Sequence, residues 1–212
     1  MSFVILIIAA YLFGSIPFGL IIAGAHGKNL RSIGSGNIGA TNLSRALGKK
    51  WGYFCFFLDA LKGFIPMLVA SRFISSPPGI AELFLWLAVG IAAVSGHIFP
   101  IYIKFKGGKG VATSFGVALG LWPYYTICAG IALIVWAVCV LIWRYISLGS
   151  IAGAITFPLV LILAIILKQS WTIAALWPLL IAAIAIPVMV IIRHSENIKR
   201  IIAGTESKVF SK

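Results

Sequence analysis

The sequence predicts an all-α polytopic membrane protein, and its composition and its succession of apolar stretches support this fold class. The 212 residues are 61% hydrophobic and only 10% charged, and their mean hydropathy is +1.10. Apolar stretches follow one another along the whole chain, and most have the roughly 17–25 residues that a membrane-spanning helix needs. A soluble domain of this length could not bury so much apolar surface. We therefore expect residues 1–212 to form a single integral-membrane domain.

Six of the apolar stretches are long enough to span a membrane: residues 3–24, 52–74, 80–103, 124–143, 147–167 and 171–192. The first lacks a basic N-terminal region and is too long for a cleaved signal peptide, so it is expected to remain as a helix. A seventh stretch, residues 111–122, is short. If it spans, the protein has seven transmembrane helices, and if it re-enters the same face, it has six. Only the odd number places the loop at residues 26–50 and the C-terminal tail on the same side.

The positive charges favour seven spans. The chain carries 17 Lys and Arg against four Asp and Glu, for a net charge of +13. Fourteen of these cations fall in segments that seven spans place on one face: residues 26–50, residues 104–109, Arg144, and the tail from Arg193 to Lys212. The others are Arg72 and Lys168 on the opposite face, and Lys62 inside a span. By the positive-inside rule, the N-terminus is expected outside and the C-terminus in the cytoplasm.

The composition also excludes several classes of function. No nucleic-acid partner is expected, because the cations are confined to short loops between apolar spans. The cysteines Cys55, Cys128 and Cys139 lie in apolar stretches without paired spacing, which is typical of small buried residues. Three dispersed His and four acids form no ligand-spaced set, so neither a metal nor a cofactor is expected. The basic excess then indicates anionic lipid or an anionic substrate.

The polar segment at residues 31–50 has the composition of an anion site. It reads RSIGSGNIGATNLSRALGKK and contains no acidic residue. Glycines that free backbone N–H groups stand beside hydroxyl and amide side chains, a combination that suits phosphate: Ser35, Gly36, Asn37, Gly39, Thr41 and Asn42. A helix expected to begin near Thr41 or Asn42 would add its N-terminal N–H groups, and Arg45 could bind a phosphate with two nitrogens. An ordinary flexible polar loop is the alternative.

Two further polar segments are expected on the same face. The run KGGKG at residues 106–110 leads directly into an apolar helix, so Gly107, Gly108, Lys109 and Gly110 could hold a phosphate-sized anion. A tight turn with lysines that only set topology is the alternative. The run is not a nucleotide P-loop, since glycine follows Lys109 where Ser or Thr is required. In RHSENIKR, residues 193–200, His194 and Asn197 share one helix face, although a solvated helix end would look the same.

The predicted spans contain the ionisable residues Asp59, Lys62 and His97. His97 lies at the end of an apolar span, where such a side chain tends to face a polar cavity. Asp59 and Lys62 are three residues apart on one helix and are expected to form a structural ion pair. The His-x-x-x-x-Asp motif of many acyl-CoA-dependent acyltransferases is absent, because the residues five positions after the histidines are Arg31, Tyr102 and Lys199. The polar segments thus offer many anion-binding groups and few bases.

Six motifs occur in this order along the chain: GSIPFG, LRSIGSGNIGATNLSRALGKK, LDALKG, GHIFPIYIKFKGGKGVAT, RYISLGS and HSENIKR. From about residue 11 to residue 203, the chain resembles the bacterial acyl-phosphate:glycerol-3-phosphate acyltransferases. The resemblance implies a seven-helix enzyme of the bacterial plasma membrane with a cytoplasmic active site. It also implies that an acyl chain passes from acyl phosphate to the 1-hydroxyl of sn-glycerol 3-phosphate. The products would be lysophosphatidic acid and inorganic phosphate.

Matched motif by motif, the functional residues of this family fall on Ser35 and Arg45, on the glycine loop 107–110, and on His194, Glu196 and Asn197, with Ser150 at a further site position. We expect catalytic roles for Ser35, Arg45, Lys109, His194 and Asn197. Substrate binding is expected of Gly36, Asn37, Gly39, Thr41, Asn42, His97, Gly107, Gly108, Gly110 and Ser150, and a structural role of Glu196, Asp59 and Lys62. Ser195 departs from the family pattern, in which Arg is frequent, and this removes one cation near the site.

With so few side-chain bases, a substrate phosphate is expected to be the main general base, because its second pKa is about 6. His194 as the base and Ser35 as an acylated nucleophile are the alternatives. The expected partners are the two substrates and the lipid bilayer. A small anion transporter is the competing class of function. It fits the charge equally well, but it needs a site near the bilayer midplane rather than three anion-binding segments on one face.

Overall fold

The computed structural model describes residues 3–209, and every regular element within that range is helical. The α-helices are α1 (Phe3–Gly14), α2 (Phe18–Ala25), α3 (Ala40–Leu47), α4 (Lys49–Ser71), α5 (Ile80–Ile98), α6 (Val111–Gly120), α7 (Thr126–Trp143), α8 (Ile146–Leu167), α9 (Ile173–Ile192) and α10 (Ser195–Ile202). The all-α prediction is thus confirmed for these residues. Lys212, one of the tail cations, lies outside them.

Six segments of the described chain are helical, long and apolar enough to cross a membrane. They match the six long stretches predicted from the sequence. The first is formed by α1 and α2 together, and the third combines α5 with a 3-10 turn that ends at Ile103. The short stretch at residues 111–122 forms α6, whose 10 residues extend for only about 15 Å. This is about half the hydrocarbon thickness of a bilayer.

The boundaries around the first polar segment follow from local chemistry. α1 and α2 are separated at Ser15–Pro17, since proline lacks an N–H and restricts the residue before it. α3 begins at Ala40, one residue before the earliest predicted start. Gly48 ends α3 with φ at 93°, a conformation that favours glycine, and α4 begins directly after it at Lys49 rather than at residue 52.

The chain divides into two compact units, and the first contains the described residues up to Ser76 together with Leu85–Gly120. Its central element is α4, which packs against α1, α2, α3 and α6. A buried cluster joins α2 and α3 to α4: Ile22, Ala23, Leu30, Leu43 and Cys55. Against α6, the backbones approach closely because Gly63 and Gly116 carry no β-carbon. α4 therefore fixes both the first polar segment and the helix that follows the glycine loop.

The second unit contains Pro77–Phe84 and the described residues from Leu121 onward. α8 packs along α7 and also contacts α9 and α10. Gly149 on α8 allows a close approach to Trp136 on α7. The tail after α10 returns to the start of α8, where the N–H of Val209 donates to the carbonyl of Arg144 at 2.7 Å. This return brings the residues after α10 next to the RYISLGS motif.

The three cysteines are free thiols. The expectation of small buried residues is confirmed for Cys55 and Cys128, whereas Cys139 on α7 is only half-buried. The Sγ of Cys55 lies 3.6 Å from Oδ2 of Asp59. This thiol therefore contributes to the polar surroundings of that carboxylate.

Candidate functional site

The first polar segment is shaped by one buried amide, that of Asn42, which is 1% exposed. Its Oδ1 accepts the N–H of Ser35 at 3.1 Å. Its Nδ2 lies 2.9–3.0 Å from the carbonyl oxygens of Leu30, Ile33 and Asn37. The amide thus bonds to the loop itself, and we reassign Asn42 from substrate binding to shaping the backbone that presents Ser35.

Glycines provide the turns of this segment. Gly34 and Gly36 have φ values of 55° and 67°, in the left-handed region where a β-carbon is unfavourable. The N–H of Gly39, the residue before α3, donates to Oδ1 of Asn37 at 2.9 Å. Asn37 therefore also uses its side chain within the loop. The glycines of the SGNIG run serve the path of the backbone, whatever ligand it holds.

The polar side chains of Ser35, Thr41 and Arg45 in this segment remain open to a ligand. Ser35 and Arg45 are exposed and Thr41 is half-buried, and none of the three side chains forms a hydrogen bond or ion pair within residues 3–209. The stem of Arg45 lies over Gly34, since its Cδ is 3.6 Å from the position that a β-carbon there would occupy. Two hydroxyl groups and a guanidinium in a segment without acids suit an anion such as phosphate.

The structure corrects the expected use of the glycine loop, residues 106–110. The N–H of Gly107 donates to the carbonyl of Ile98 at 3.2 Å, and that of Gly108 to the carbonyl of His97 at 3.1 Å. Neither N–H is available to a phosphate in this conformation. β-Carbons at Gly107 and Gly108 would overlap the carbonyl and the ring of His97, respectively. Lys109, which is half-buried, and the start of α6 after Gly110 remain the anion-binding candidates of this loop.

Two of the three predicted polar segments adjoin within the first unit. Nη2 of Arg31 donates to the carbonyl of Lys106 at 2.9 Å, across 75 residues of sequence.

The predicted ion pair of Asp59 and Lys62 is confirmed, with Nζ 2.9 Å from Oδ1. His97, 6% exposed, faces this pair, because its Nδ1 lies 3.7 Å from the same carboxylate oxygen. The polar surroundings expected for His97 are therefore a buried ion pair.

The third predicted segment lies in the second unit, around the start of α10. His194 directly precedes α10, and its buried ring places Nδ1 2.7 Å from the carbonyl oxygen of Val190. A carbonyl can only accept, so Nδ1 carries a proton and the lone pair of the neutral ring is on Nε2. Ser150, on α8 of the same unit, donates its hydroxyl to the carbonyl of Ile146 at 3.0 Å. Its oxygen lone pairs keep the capacity to accept a hydrogen bond.

Glu206 is a residue that the sequence reasoning left without a role. Its carboxylate accepts from Oγ of Ser147 at 2.8 Å, Nδ2 of Asn197 at 2.6 Å and Nε of Arg200 at 2.7 Å. It thereby ties α10 to the start of α8 and orients the amide of Asn197. Burial raises the pKa of Glu206, but these hydrogen bonds and the Arg200 charge outweigh it, so that the pKa lies below its ordinary value.

By contrast, Glu196 was expected to hold the end of this helix, and it forms an exposed ion pair with Lys199 at 2.9 Å. Exposed pairs of this kind contribute little stability. The anchor of α10 is therefore Glu206. The available signal was the scarcity of acids: Glu206 is one of only two in a tail that carries five cations (Arg193, Lys199, Arg200, Lys208 and Lys212), and such an acid is a strong candidate for pairing.

We expect Glu206→Gln to destabilise the detergent-solubilised protein by about 1.5 kcal/mol, because an ionised acceptor is replaced by a neutral one. Since the folded-state pKa of Glu206 lies below its unfolded value, its stabilisation is present above the unfolded pKa and is lost as the pH falls through the folded pKa. The parent melting temperature should therefore decline on acidification more steeply than that of Glu206→Gln. Glu196→Gln is the control and should melt like the parent at neutral pH; an unchanged Glu206→Gln would contradict the anchoring role.

The fold and these segments define a class: a polytopic helical membrane protein whose polar segments carry cations, hydroxyl groups and glycine turns, groups that suit anionic ligands. A family model described as glycerol-3-phosphate acyltransferase matches residues 4–204. The chain therefore belongs to the glycerol-3-phosphate acyltransferase family, and the resemblance noted in the sequence is confirmed.

Curated relatives and solved structures agree with this family. The chain is 46% identical to a glycerol-3-phosphate acyltransferase of Trichlorobacter lovleyi over 202 residues, and this alignment covers 95% of each chain. It is 43% identical to the glycerol-3-phosphate acyltransferase of Aquifex aeolicus over 208 residues, and this alignment covers 98% of this chain and 100% of the relative.

Its fold is similar to the crystal structure of PlsY (YgiH), an integral membrane glycerol 3-phosphate acyltransferase, in the glycerol 3-phosphate form. The TM-score is 0.85 at 42% identity, over 99% of this chain and 96% of that one. The lysophosphatidic acid form of PlsY gives a TM-score of 0.82 at 41% identity, over 98% of this chain and 95% of that one. With six candidate spans of its own, this protein is an integral membrane protein.

Proposed function

We propose that this protein transfers an acyl group from acyl phosphate to the 1-hydroxyl of sn-glycerol 3-phosphate, releasing lysophosphatidic acid and inorganic phosphate. The observation that carries the proposal is the acid-free segment in which Ser35, Thr41 and Arg45 keep their polar groups open, next to the glycine loop with Lys109. Both proposed substrates carry a phosphate group, which such groups bind well. An acyl phosphate also suits a protein with few bases, because phosphate is a good leaving group.

The reaction is a direct displacement. The 1-hydroxyl oxygen forms a bond with the acyl carbonyl carbon, the bond between that carbon and the phosphate oxygen breaks, and the hydroxyl proton passes to phosphate. A substrate phosphate, with a second pKa of about 6, serves as the base. Ser35, Arg45 and Lys109 orient the phosphate groups and neutralise charge that develops during the attack. We also assign catalytic roles to His194 and Asn197, on the resemblance of HSENIKR to the family motif.

The activity is tested with purified protein in detergent, given radiolabelled glycerol 3-phosphate and a long-chain acyl phosphate. We expect labelled lysophosphatidic acid and one equivalent of inorganic phosphate, and no product when acyl-CoA replaces acyl phosphate. Arg45→Ala is the matched control for a contaminating activity. If no lysophosphatidic acid forms, the proposal fails, and phosphate flux in liposomes would then support the transporter interpretation.

Direct displacement predicts that no acyl-enzyme accumulates. Protein incubated with labelled acyl phosphate alone and quenched in acid should yield an unmodified Ser35 peptide by mass spectrometry. The physical reason is that Ser35 forms no side-chain hydrogen bond to a histidine or carboxylate within residues 3–209, so nothing activates its hydroxyl. Stoichiometric acylation of Ser35 would overturn this mechanism in favour of a covalent intermediate.

A base role for His194 is tested separately. We expect His194→Gln to retain more activity than a Ser35→Ala, Arg45→Ala double variant, because a substrate phosphate accepts the proton. Single-turnover rates for both proteins at saturating substrate measure the difference. A loss in His194→Gln as complete as in the double variant would assign the proton to Nε2 of His194 instead.

For the whole chain, residues 1–212, we propose one acyltransferase domain in the bacterial plasma membrane. It has seven spans, with the N-terminus outside and the polar segments in the cytoplasm. The charge distribution supports this topology, in which α6 crosses the membrane with local thinning or shielding by neighbours. If α6 is instead re-entrant, the protein has six spans. Residue 169 then lies on the cytoplasmic side instead of outside, whereas residue 28 is cytoplasmic in both topologies.

Single cysteines at these two positions decide between the topologies, in a background without Cys55, Cys128 and Cys139. We use cells whose cell envelope is permeable to the reagent but whose plasma membrane is intact. A membrane-impermeant maleimide should label Gln169→Cys in these cells, and Lys28→Cys only after the plasma membrane is opened. Both positions are exposed, so accessibility to the reagent does not limit labelling. Protection of both cysteines in intact cells would show six spans.

A further inference from the structure

Asp59 contacts both ends of the segment that contains the glycine loop. Its carboxylate lies 3.7 Å from Nδ1 of His97, in the last turn of α5 before the loop. Its backbone carbonyl accepts the hydroxyl of Thr113, in the first turn of α6 after the loop, at 2.9 Å. The side chain and main chain of one buried α4 residue thus contact the entry and the exit of the loop.

The carboxylate of Asp59 is itself held in place. Lys62 lies 2.9 Å from its Oδ1 and donates to the carbonyl of Ile16, in the break between α1 and α2, at 2.8 Å. Both charged residues are nearly inaccessible to solvent, at 3% and 2% exposure. A buried pair with additional hydrogen bonds has little freedom to move, because separating the charges in an apolar interior is costly.

His97 contacts both Asp59 and the glycine loop, and it therefore links the buried ion pair to the loop. Its carbonyl accepts the N–H of Gly108, and its ring packs so closely on Gly108 that a β-carbon there would overlap Nε2. Gly107 is equally close to the carbonyl of His97. His97 therefore shapes the backbone at Gly107 and Gly108, the two residues before Lys109. Glycine is needed at both positions for this contact.

We infer that Asp59, Lys62, His97 and Thr113 are positioning residues, which set the glycine loop and with it Lys109 for glycerol 3-phosphate. This inference rests on the proposed function. It assigns the glycine requirement at position 108 to the ring of His97 instead of to close approach of a phosphate. The two explanations differ in one respect, namely whether positions 97 and 108 are energetically coupled.

A double-mutant cycle measures this coupling. We expect Gly108→Ala to raise KM for glycerol 3-phosphate at least tenfold with kcat within about threefold of the parent. In the His97→Ala background, where the ring is gone, the same substitution should change KM less than twofold. An equal factor in both backgrounds would overturn the inference and place Gly108 against the ligand. Gly24→Ala, where a β-carbon meets nothing within 4 Å, is the matched control.

Thr113 tests the exit of the loop without creating a buried unpaired charge. Thr113→Val keeps the shape of the side chain but removes the hydrogen bond to Asp59, and Thr113→Ser restores the hydroxyl. We expect the Val variant to raise KM for glycerol 3-phosphate at an unchanged kcat, and the Ser variant to recover most of the effect. A lower melting temperature with no change in KM would show a purely structural contact and contradict the inference.

The same proteins separate a failure of this inference from a failure of the proposed function. If the parent forms no lysophosphatidic acid, the function fails, and the coupling of positions 97 and 108 is read from the melting temperatures of the four proteins in the cycle. If Gly108→Ala alone does not fold, folded protein from the His97→Ala, Gly108→Ala double variant supports the coupling. A double variant that also fails to fold contradicts the coupling.

Discussion

Replacing Arg45 with lysine is expected to lower kcat/KM for glycerol 3-phosphate roughly ten- to a hundredfold, which corresponds to the loss of one charge-assisted hydrogen-bonded pair of about 1.5–3 kcal/mol. The guanidinium can bind a phosphate with two parallel N–H groups, whereas an ammonium offers a single point of charge. Arg45 is exposed on α3, makes no ion pair within residues 3–209, and stacks its stem over Gly34, so its fork is available to a ligand.

The measurement is a saturation curve for glycerol 3-phosphate at fixed acyl phosphate. Arg72→Lys is the matched control, because Arg72 is exposed at the end of α4 and makes no hydrogen bond or ion pair through its side chain within the described residues. It should behave like the parent. An Arg45→Lys enzyme with full activity and unchanged KM would rule out binding through two nitrogens.

A second large effect is expected from Gly116→Ala, which should destabilise the protein by about 3 kcal/mol, at the upper end of the usual cost of overpacking. A β-carbon at Gly116 would overlap the backbone carbonyl of Ala60 on α4. Because the clash is with backbone, no rotamer change relieves it and the two helices must separate. Since α6 follows the glycine loop directly, the surviving folded protein should also bind glycerol 3-phosphate more weakly.

Thermal melting in detergent and the folded yield from size-exclusion chromatography measure this loss. Gly24→Ala on α2 and Gly130→Ala on α7 are matched controls, because a β-carbon meets no atom within 4 Å at either position. These two variants should melt at or slightly above the parent temperature, since alanine is the better helix former. If Gly116→Ala melted together with them, close backbone packing of α4 and α6 would not hold the first unit together.

Local patterns were sufficient for much of the fold. The long spans were predicted within a few residues, because the length and apolar composition of a membrane helix are properties of one continuous stretch. α3 was predicted to follow the Gly- and Asn-rich turn, and it starts at Ala40. Asp59 and Lys62 were paired correctly because residues three apart on a helix are neighbours in any tertiary context.

Sequence alone also identified the family, because its motifs combine residue types and spacings that no helix-forming tendency requires. These motifs named Ser35, Arg45 and Lys109 as candidates, and the first two have open side chains in the structure. A motif names a residue but does not give the direction of its side chain. Asn42 illustrates this, since an amide in an apparent anion cradle turned out to bond to the surrounding backbone.

Only the tertiary structure decided which partner each polar group takes. Gly107 and Gly108 were predicted to hold an anion, yet their N–H groups donate to carbonyl groups at the end of α5. Glu206 meets Ser147 across 59 residues of sequence, and no local pattern contains that contact. The physical reason is the same in both cases: a buried donor or charge must be satisfied, and the group that satisfies it is brought there by the packing of distant helices.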